Sequence, residues 1–173
     1  MTASAGVSLP KVAKWIPPPT GYMKVNVDGA IAKTEIKGGV GAICRDEQGR
    51  FLGASAAVYE GISEPATLEA YACREALELA GDLNIQRIMV ASDCLNVITE
   101  IKSGSASGRH CMILRDIQQR RSDFQETMYG HEQREANGEA HIIARMATTL
   151  ASGRHVWLID PPDHLCIPMN LIQ

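Results

Sequence analysis

Nine consecutive residues constrain this chain more than any others: Tyr22, Met23, Lys24, Val25, Asn26, Val27, Asp28, Gly29 and Ala30. Met23, Val25 and Val27 recur at the period of two of an extended strand, so Lys24, Asn26 and Asp28 share its opposite face. The strand is expected to end on Asp28–Gly29, which puts a carboxylate where a buried element emerges. Such a carboxylate does chemistry when other acids converge on it, and Glu69 and Asp93 stand at the edges of later apolar elements. These three acids are expected to form a metal site.

The rest of the chain limits what that site belongs to. A length of 173 residues with 45% apolar and 21% charged side chains suits one globular domain, since a chain of about 150 residues buries roughly 70% of its unfolded surface. The net charge of -3 provides no global basic field, which argues against tight, autonomous nucleic-acid binding and leaves such binding to local patches or metals. Cys44, Cys73, Cys94, Cys111 and Cys166 are scattered, odd in number and without a Cys-x-x-Cys pair. Reduced thiols in an intracellular protein, nuclear or cytoplasmic, are therefore expected rather than a zinc cluster or a disulfide framework. No run of eighteen apolar residues signals a membrane span, and residues 1–14 lack the apolar stretch of a signal peptide.

Residues 1–14 are small and polar and read as a disordered lead. Trp15 and the run Pro17–Pro18–Pro19 predict an extended approach to the first strand, with Trp15 positioned to staple it onto the domain. A loop over 29–38 precedes two strands, 39–45 and 50–58, joined by Asp46–Glu47–Gln48–Gly49, where Gly49 suits a positive φ. Ser63 is expected to cap a helix that tolerates Pro65 in its first turn and buries Leu68, Ala72, Ala76 and Leu79 or Ala80. A short strand over 87–91 leads to Ser92–Asp93 and a second helix that ends at Gly104. A third helix over 109–121, a fifth strand over 124–130 and a last helix over 137–150 complete the β-β-β-α-β-α-α-β-α order. The fold expected is α/β: a five-stranded mixed sheet, three strands antiparallel and then two parallel, flanked by helices. The domain would span 15–154, with 155–173 a tail packed on it or on a partner. In this topology the first and fourth strands end side by side, bringing Asp28 and Asp93 together with Glu69 projecting across them.

Several fragments in order and spacing resemble the ribonuclease H family, in particular its plant retroelement-derived, reverse transcriptase-like domains. They are the Trp–x–Pro–Pro lead, Lys24 to Ala30, Gly39–Val40–Gly41–Ala42, Arg45–Asp46–x–x–Gly49, Glu69–Ala70, Ser92–Asp93, Arg134–Glu135–Ala136–Asn137–x–x–Ala140–His141 and Trp157–Leu158–x–x–Pro161–Pro162. The resemblance implies a ribonuclease H-like fold and cleavage of the RNA strand of RNA–DNA hybrids with Mg2+ or Mn2+. Carried over by motif, Asp28, Glu69 and Asp93 are catalytic metal ligands, and His141 stands where relatives have a fourth acid. His131, six residues before Asn137, matches by spacing a histidine assigned to proton transfer. Histidine suits that work, but an exposed loop histidine without a role fits equally. Gly29, Gly39, Gly41 and Asn137 are the expected substrate contacts.

Several of these residues suit structural roles as well. Asp93 fits an N-cap of the following helix. Gly39 and Gly41 either ease strand twist or let a sugar 2′-hydroxyl approach bare backbone. His141 either replaces a ligand or props Asp28 through a hydrogen bond. The amides that bacterial relatives carry ahead of the second acid are replaced by Pro65 and Ala66, and Arg109, Arg115, Arg120 and Arg121 are the candidates for a phosphate-facing patch. A nucleic-acid-binding module that has lost turnover is the alternative function, and a protein-interaction domain using the lead and the tail is a third.

Overall fold

The structure, a computed structural model, describes residues 14–105 and 108–165. The first strand, β1 (Met23–Ile31), carries Val25 and Val27 into one core and Lys24, Asn26 and Asp28 to the opposite face. It is longer than expected. Residues 29–31 stay in the strand and pair with β2 (Lys37–Arg45), with Asp28 opposite Gly41 and Ile31 opposite Gly38. The hairpin to β3 (Phe51–Glu60) turns as expected: Gly49 has φ 78°, and the Asp46 carboxylate accepts the backbone N–H groups of Gln48 and Arg50 at 3.0 and 2.9 Å.

The first helix, α1 (Pro65–Asp82), starts one residue later than expected. Glu64 rather than Ser63 occupies the N-cap, without a side-chain cap, and Pro65 opens the helix at a position where its missing N–H costs nothing. β4 (Arg87–Ser92), α2 (Leu95–Ser103), α3 (Cys111–Arg120), β5 (Glu126–His131) and α4 (Gly138–Ala147) follow in the expected order. β1, β4 and β5 run parallel, so the mixed α/β sheet has the predicted directions. A sixth strand, β6 (Gly153–Trp157), extends it to the order β5-β4-β1-β2-β3-β6. The expected boundary at residue 154 falls inside this strand. β6 escapes pattern reading because it is short and mostly exposed. Arg154 holds it by ion pairs to Glu75 and Asp82 of α1, at 2.6 and 2.7 Å.

The sheet has two cores. α1, α2 and α3 cover one face through Leu68, Ala72, Ala76, Ile98 and Leu114, packed on Val25, Val27, Val40 and Val90. α4 covers the other through Ala140, Ile143 and Ala147 on Ile43, Ala54 and Ala56, and Leu165 joins that core. Residues 1–13 of the expected disordered lead lie outside the described residues, as do Cys166 and the rest of the tail. Trp15 does staple the lead: its indole N–H donates to Asn26 Oδ1 at 3.2 Å. The four described cysteines, Cys44, Cys73, Cys94 and Cys111, are free thiols. Among the described residues no helix is long and apolar enough to cross a membrane.

Candidate metal centre

Parallel pairing builds the site. Val27, Ser92 and His131 lie in register across β1, β4 and β5, and Asp28 and Asp93 are the next residues of the first two strands. Adjacent strands lie about 4.8 Å apart, so in-register carboxylates at the fork between β1 and β4 are neighbours by construction. The carboxyl ends of parallel strands are also where open α/β sheets place ligands. α1 crosses this fork because Gly29 has no side chain: a Cβ there would lie 3.0 Å from Leu68 Cβ. That close approach delivers Glu69. One ligand atom from each of Asp28, Glu69 and Asp93 lies within 4.8 Å of the others.

Hydrogen bonds fix the orientation of these acids. The Gly29 N–H donates to Asp28 Oδ1 at 2.9 Å and to Glu69 Oε1 at 3.3 Å, while the Ser92 hydroxyl donates to Glu69 Oε2 at 3.4 Å. Gly29 therefore serves the cluster from within. Asp93 does not cap α2. Cys94 is the N-cap residue, no side chain caps the helix, and the Cys94 N–H goes to Ser92 Oγ at 3.0 Å. Asp93 lies one residue before the cap position, and its carboxylate belongs to the acidic cluster, with Arg134 Nε 3.6 Å away.

The electrostatics are those of acids sharing one confined space. Burial, the Asp28 charge beside it and then Asp93 push the Glu69 carboxyl up to about 9. Burial and Asp28 also raise Asp93, against the lowering effect of Arg134 and His141. Crowded oxygen donors of this kind could hold a metal ion, whose charge would offset the repulsion.

His141 reaches the cluster from the first turn of α4, with Nδ1 2.7 Å from Asp28 Oδ2 and nearly half of its side chain exposed. His131 lies at the end of β5. It lines a pocket of about 450 Å³ with Glu69, Asp93, Cys94, Glu132 and Arg134.

Three of the expected substrate contacts are corrected. A Cβ on Gly39 would meet Ala147 Cβ at 2.7 Å, and one on Gly41 would meet Ala144 N at 2.5 Å, so α4 covers both residues and no sugar can reach them. Their bareness allows close helix packing. Asn137 is 1% exposed and faces inward: its Nδ2 donates to Val27 O at 2.8 Å and its Oδ1 accepts from Asn26 Nδ2 at 3.0 Å. The arginine patch is also weaker than expected, because Arg120 is paired with Glu78 and Asp116 and Arg121 stacks over Tyr129.

Sequence reasoning missed Glu132 and the role of Ser92. Glu132 is buried, pairs with the fully buried Lys24 and accepts Asn26 Nδ2 at 2.8 Å. The available signal was the polar face of β1, where Lys24 and Asn26 needed partners once that face was covered.

Comparison with known proteins bears on both fold and family. No curated protein matches the chain. Among solved structures, it resembles the N-terminal RNase H domain of rv2228c from Mycobacterium tuberculosis, with TM-score 0.66 and 18% identity over 74% of this chain and 94% of that one. RNase H1 from the halophilic archaeon Halobacterium salinarum gives 0.62 and 21% over 73% and 97%. LC11-RNase H1, isolated from compost by a metagenomic approach and solved with an RNA/DNA hybrid, gives 0.65 and 18% over 73% and 96%. At such identities the likeness establishes the RNase H fold. The family profile described as reverse transcriptase-like matches residues 26–147, from Asn26 beside the first acid to the end of α4, and the chain belongs to that family.

Proposed function

We propose that this chain is a metal-dependent endoribonuclease that cuts the RNA strand of RNA–DNA hybrids. The observation that carries the proposal is the convergence of Asp28, Glu69 and Asp93 beside an open pocket lined by His131 and Arg134. Asp28, Glu69 and Asp93 would hold Mg2+ or Mn2+. In acidic phosphodiesterase sites such ions activate water and stabilise the leaving oxygen. Gly29 and Ser92 keep Glu69 aimed, Arg134 would bring a positive charge to an entering phosphate, and His131, which lines the pocket, would pass a proton to solvent. The motif set supports descent from plant retroelements, and the free thiols support an intracellular setting.

A binding module with weakened turnover is the second reading, and His141 favours it. An imidazole nitrogen is a poorer ligand than a carboxylate for hard Mg2+, and Nδ1 of His141 lies 2.7 Å from an oxygen of Asp28. Incubation of a labelled hybrid with the protein in Mg2+ or Mn2+ separates the two. Cleavage that Asp28→Asn reduces at least about a hundredfold, the loss of several kcal/mol of charge stabilisation, supports the nuclease. Hybrid binding without cleavage in either metal favours the module, and activity that survives Asp28→Asn rules out this site as its source.

A further inference from the structure

Behind the carboxylates lies a second cluster that the catalytic proposal does not use. Lys24 and Asn26 occupy the same face of β1 as Asp28, two and one alternations before it, and both are buried. Lys24 Nζ pairs with Glu132 and donates to Ile16 O at 2.6 Å. Asn26 is fully used: Nδ2 donates to Glu132 Oε2 at 2.8 Å and to Asn137 Oδ1 at 3.0 Å, and Oδ1 accepts the Trp15 indole N–H at 3.2 Å. Asn137 in turn holds Val27 O, next to Asp28, and its own carbonyl accepts the His141 N–H at 3.2 Å. The Glu132 N–H is tied to Ser92 O, next to Asp93, at 2.9 Å.

The segment from 131 to 141 is thus anchored through Glu132 and Asn137 to Ser92 and Val27, the residues preceding Asp93 and Asp28. The same segment carries His131, Arg134 and His141. We propose that Lys24, Asn26, Glu132 and Asn137, closed over by Trp15 and Ile16 of the Pro-rich lead, form a positioning device that sets His131 and His141 relative to the carboxylates. The lead is then a working part of the site. Asn26 is the hub of the device, since each of its polar atoms ties a different segment to β1, and losing one partner leaves a buried donor or acceptor that pulls the others out of place.

This inference rests on the proposed nuclease for its kinetic readout, and a second readout stands apart from cleavage. Replacing Glu132 alone would strand the buried Lys24 charge, so the test uses Lys24→Met/Glu132→Leu, which removes the Asn26 acceptor, and Lys24→Met/Glu132→Gln, which restores an amide acceptor. On labelled hybrid in Mn2+, the Leu variant should lose about tenfold or more in kcat with KM within about twofold, and the Gln variant should recover most of it. In isotope-labelled protein the His131 and His141 imidazole signals should shift in the Leu variant and return in the Gln variant. If the unsubstituted chain does not cut hybrid, the nuclease proposal fails, and the imidazole signals alone decide this one. If the Leu variant does not fold, Trp15→Phe, which removes the indole N–H and keeps an aromatic ring, carries the same readouts. A folded Leu variant, or Trp15→Phe in its place, with unmoved imidazole signals overturns the positioning role, as does a Gln variant that fails to restore them.

Discussion

Val25 and Val27 point from β1 into the core under α1, which they share with Leu68, Leu77 and Leu114, whereas Lys24, Asn26 and Asp28, one residue out of phase, lie on the opposite face among Glu132, Asn137 and His141. The apolar face is held by burial, which is non-directional, so its residues are set by size and by the area they remove from water. The polar face is held by bonds between named atoms, each with one acceptable direction. One face therefore supplies stability and the other supplies geometry, and substitutions on the two should fail in different ways.

The largest loss of stability should come from the apolar side. Leu114→Ala in α3 should lower the unfolding free energy by about 2–5 kcal/mol in a denaturant titration, while the affinity of the carboxylates for Mn2+ stays unchanged by calorimetry. Weakened metal binding in the folded variant would show that the two faces are not separable. A smaller loss is expected where α4 meets the sheet. Gly41→Ala places a Cβ 2.5 Å from Ala144 N and should cost about 1–3 kcal/mol. Gly81→Ala, in α1 with nothing within 4 Å, should instead raise the thermal midpoint, by up to about 1 kcal/mol of stability. A neutral Gly41→Ala would mean that α4 can withdraw from β2.

The carboxylates should oppose folding without metal, and pH exposes this. Glu69 gives up its proton near 4.5 when unfolded and near 9 when folded, so between those values the folded chain binds more protons than the unfolded one. The stabilisation from that extra proton is complete below pH 4.5 and is lost as the pH rises towards 9. Thermal midpoints of metal-free protein should therefore carry a downward component over that window. Asp28→Asn and saturating Mn2+ should each reduce it. A slope unaffected by either would argue against a shared charge cluster.

The smallest effect concerns His141. His141→Asp replaces a nitrogen donor with a hard oxygen donor and should raise cleavage in Mg2+ several-fold, with less gain in Mn2+. Equal or lower Mg2+ activity in the folded variant would leave His141 as a prop for Asp28, held by the 2.7 Å contact.

The sequence by itself determined the order and direction of the first five strands and four helices, because strand alternation, the Asp46–Gly49 turn and the α1 stripe are local patterns that burial repeats at 2.0 or 3.6 residues. It also placed Asp28, Glu69 and Asp93 in one site, through motif spacing and the rule that helical crossovers return strands parallel. Tertiary structure decided what each polar side chain faces. An aspartate before a helix fits a cap or a ligand until the helix start puts Cys94, and not Asp93, at the cap position. Bare glycines in a strand suit a substrate or a helix until α4 fills the space beside Gly39 and Gly41. Glu132 resembles any loop acid until Lys24, 108 positions away, is found beside it. Such pairings depend on contacts between segments far apart in the chain, and no local periodicity encodes them.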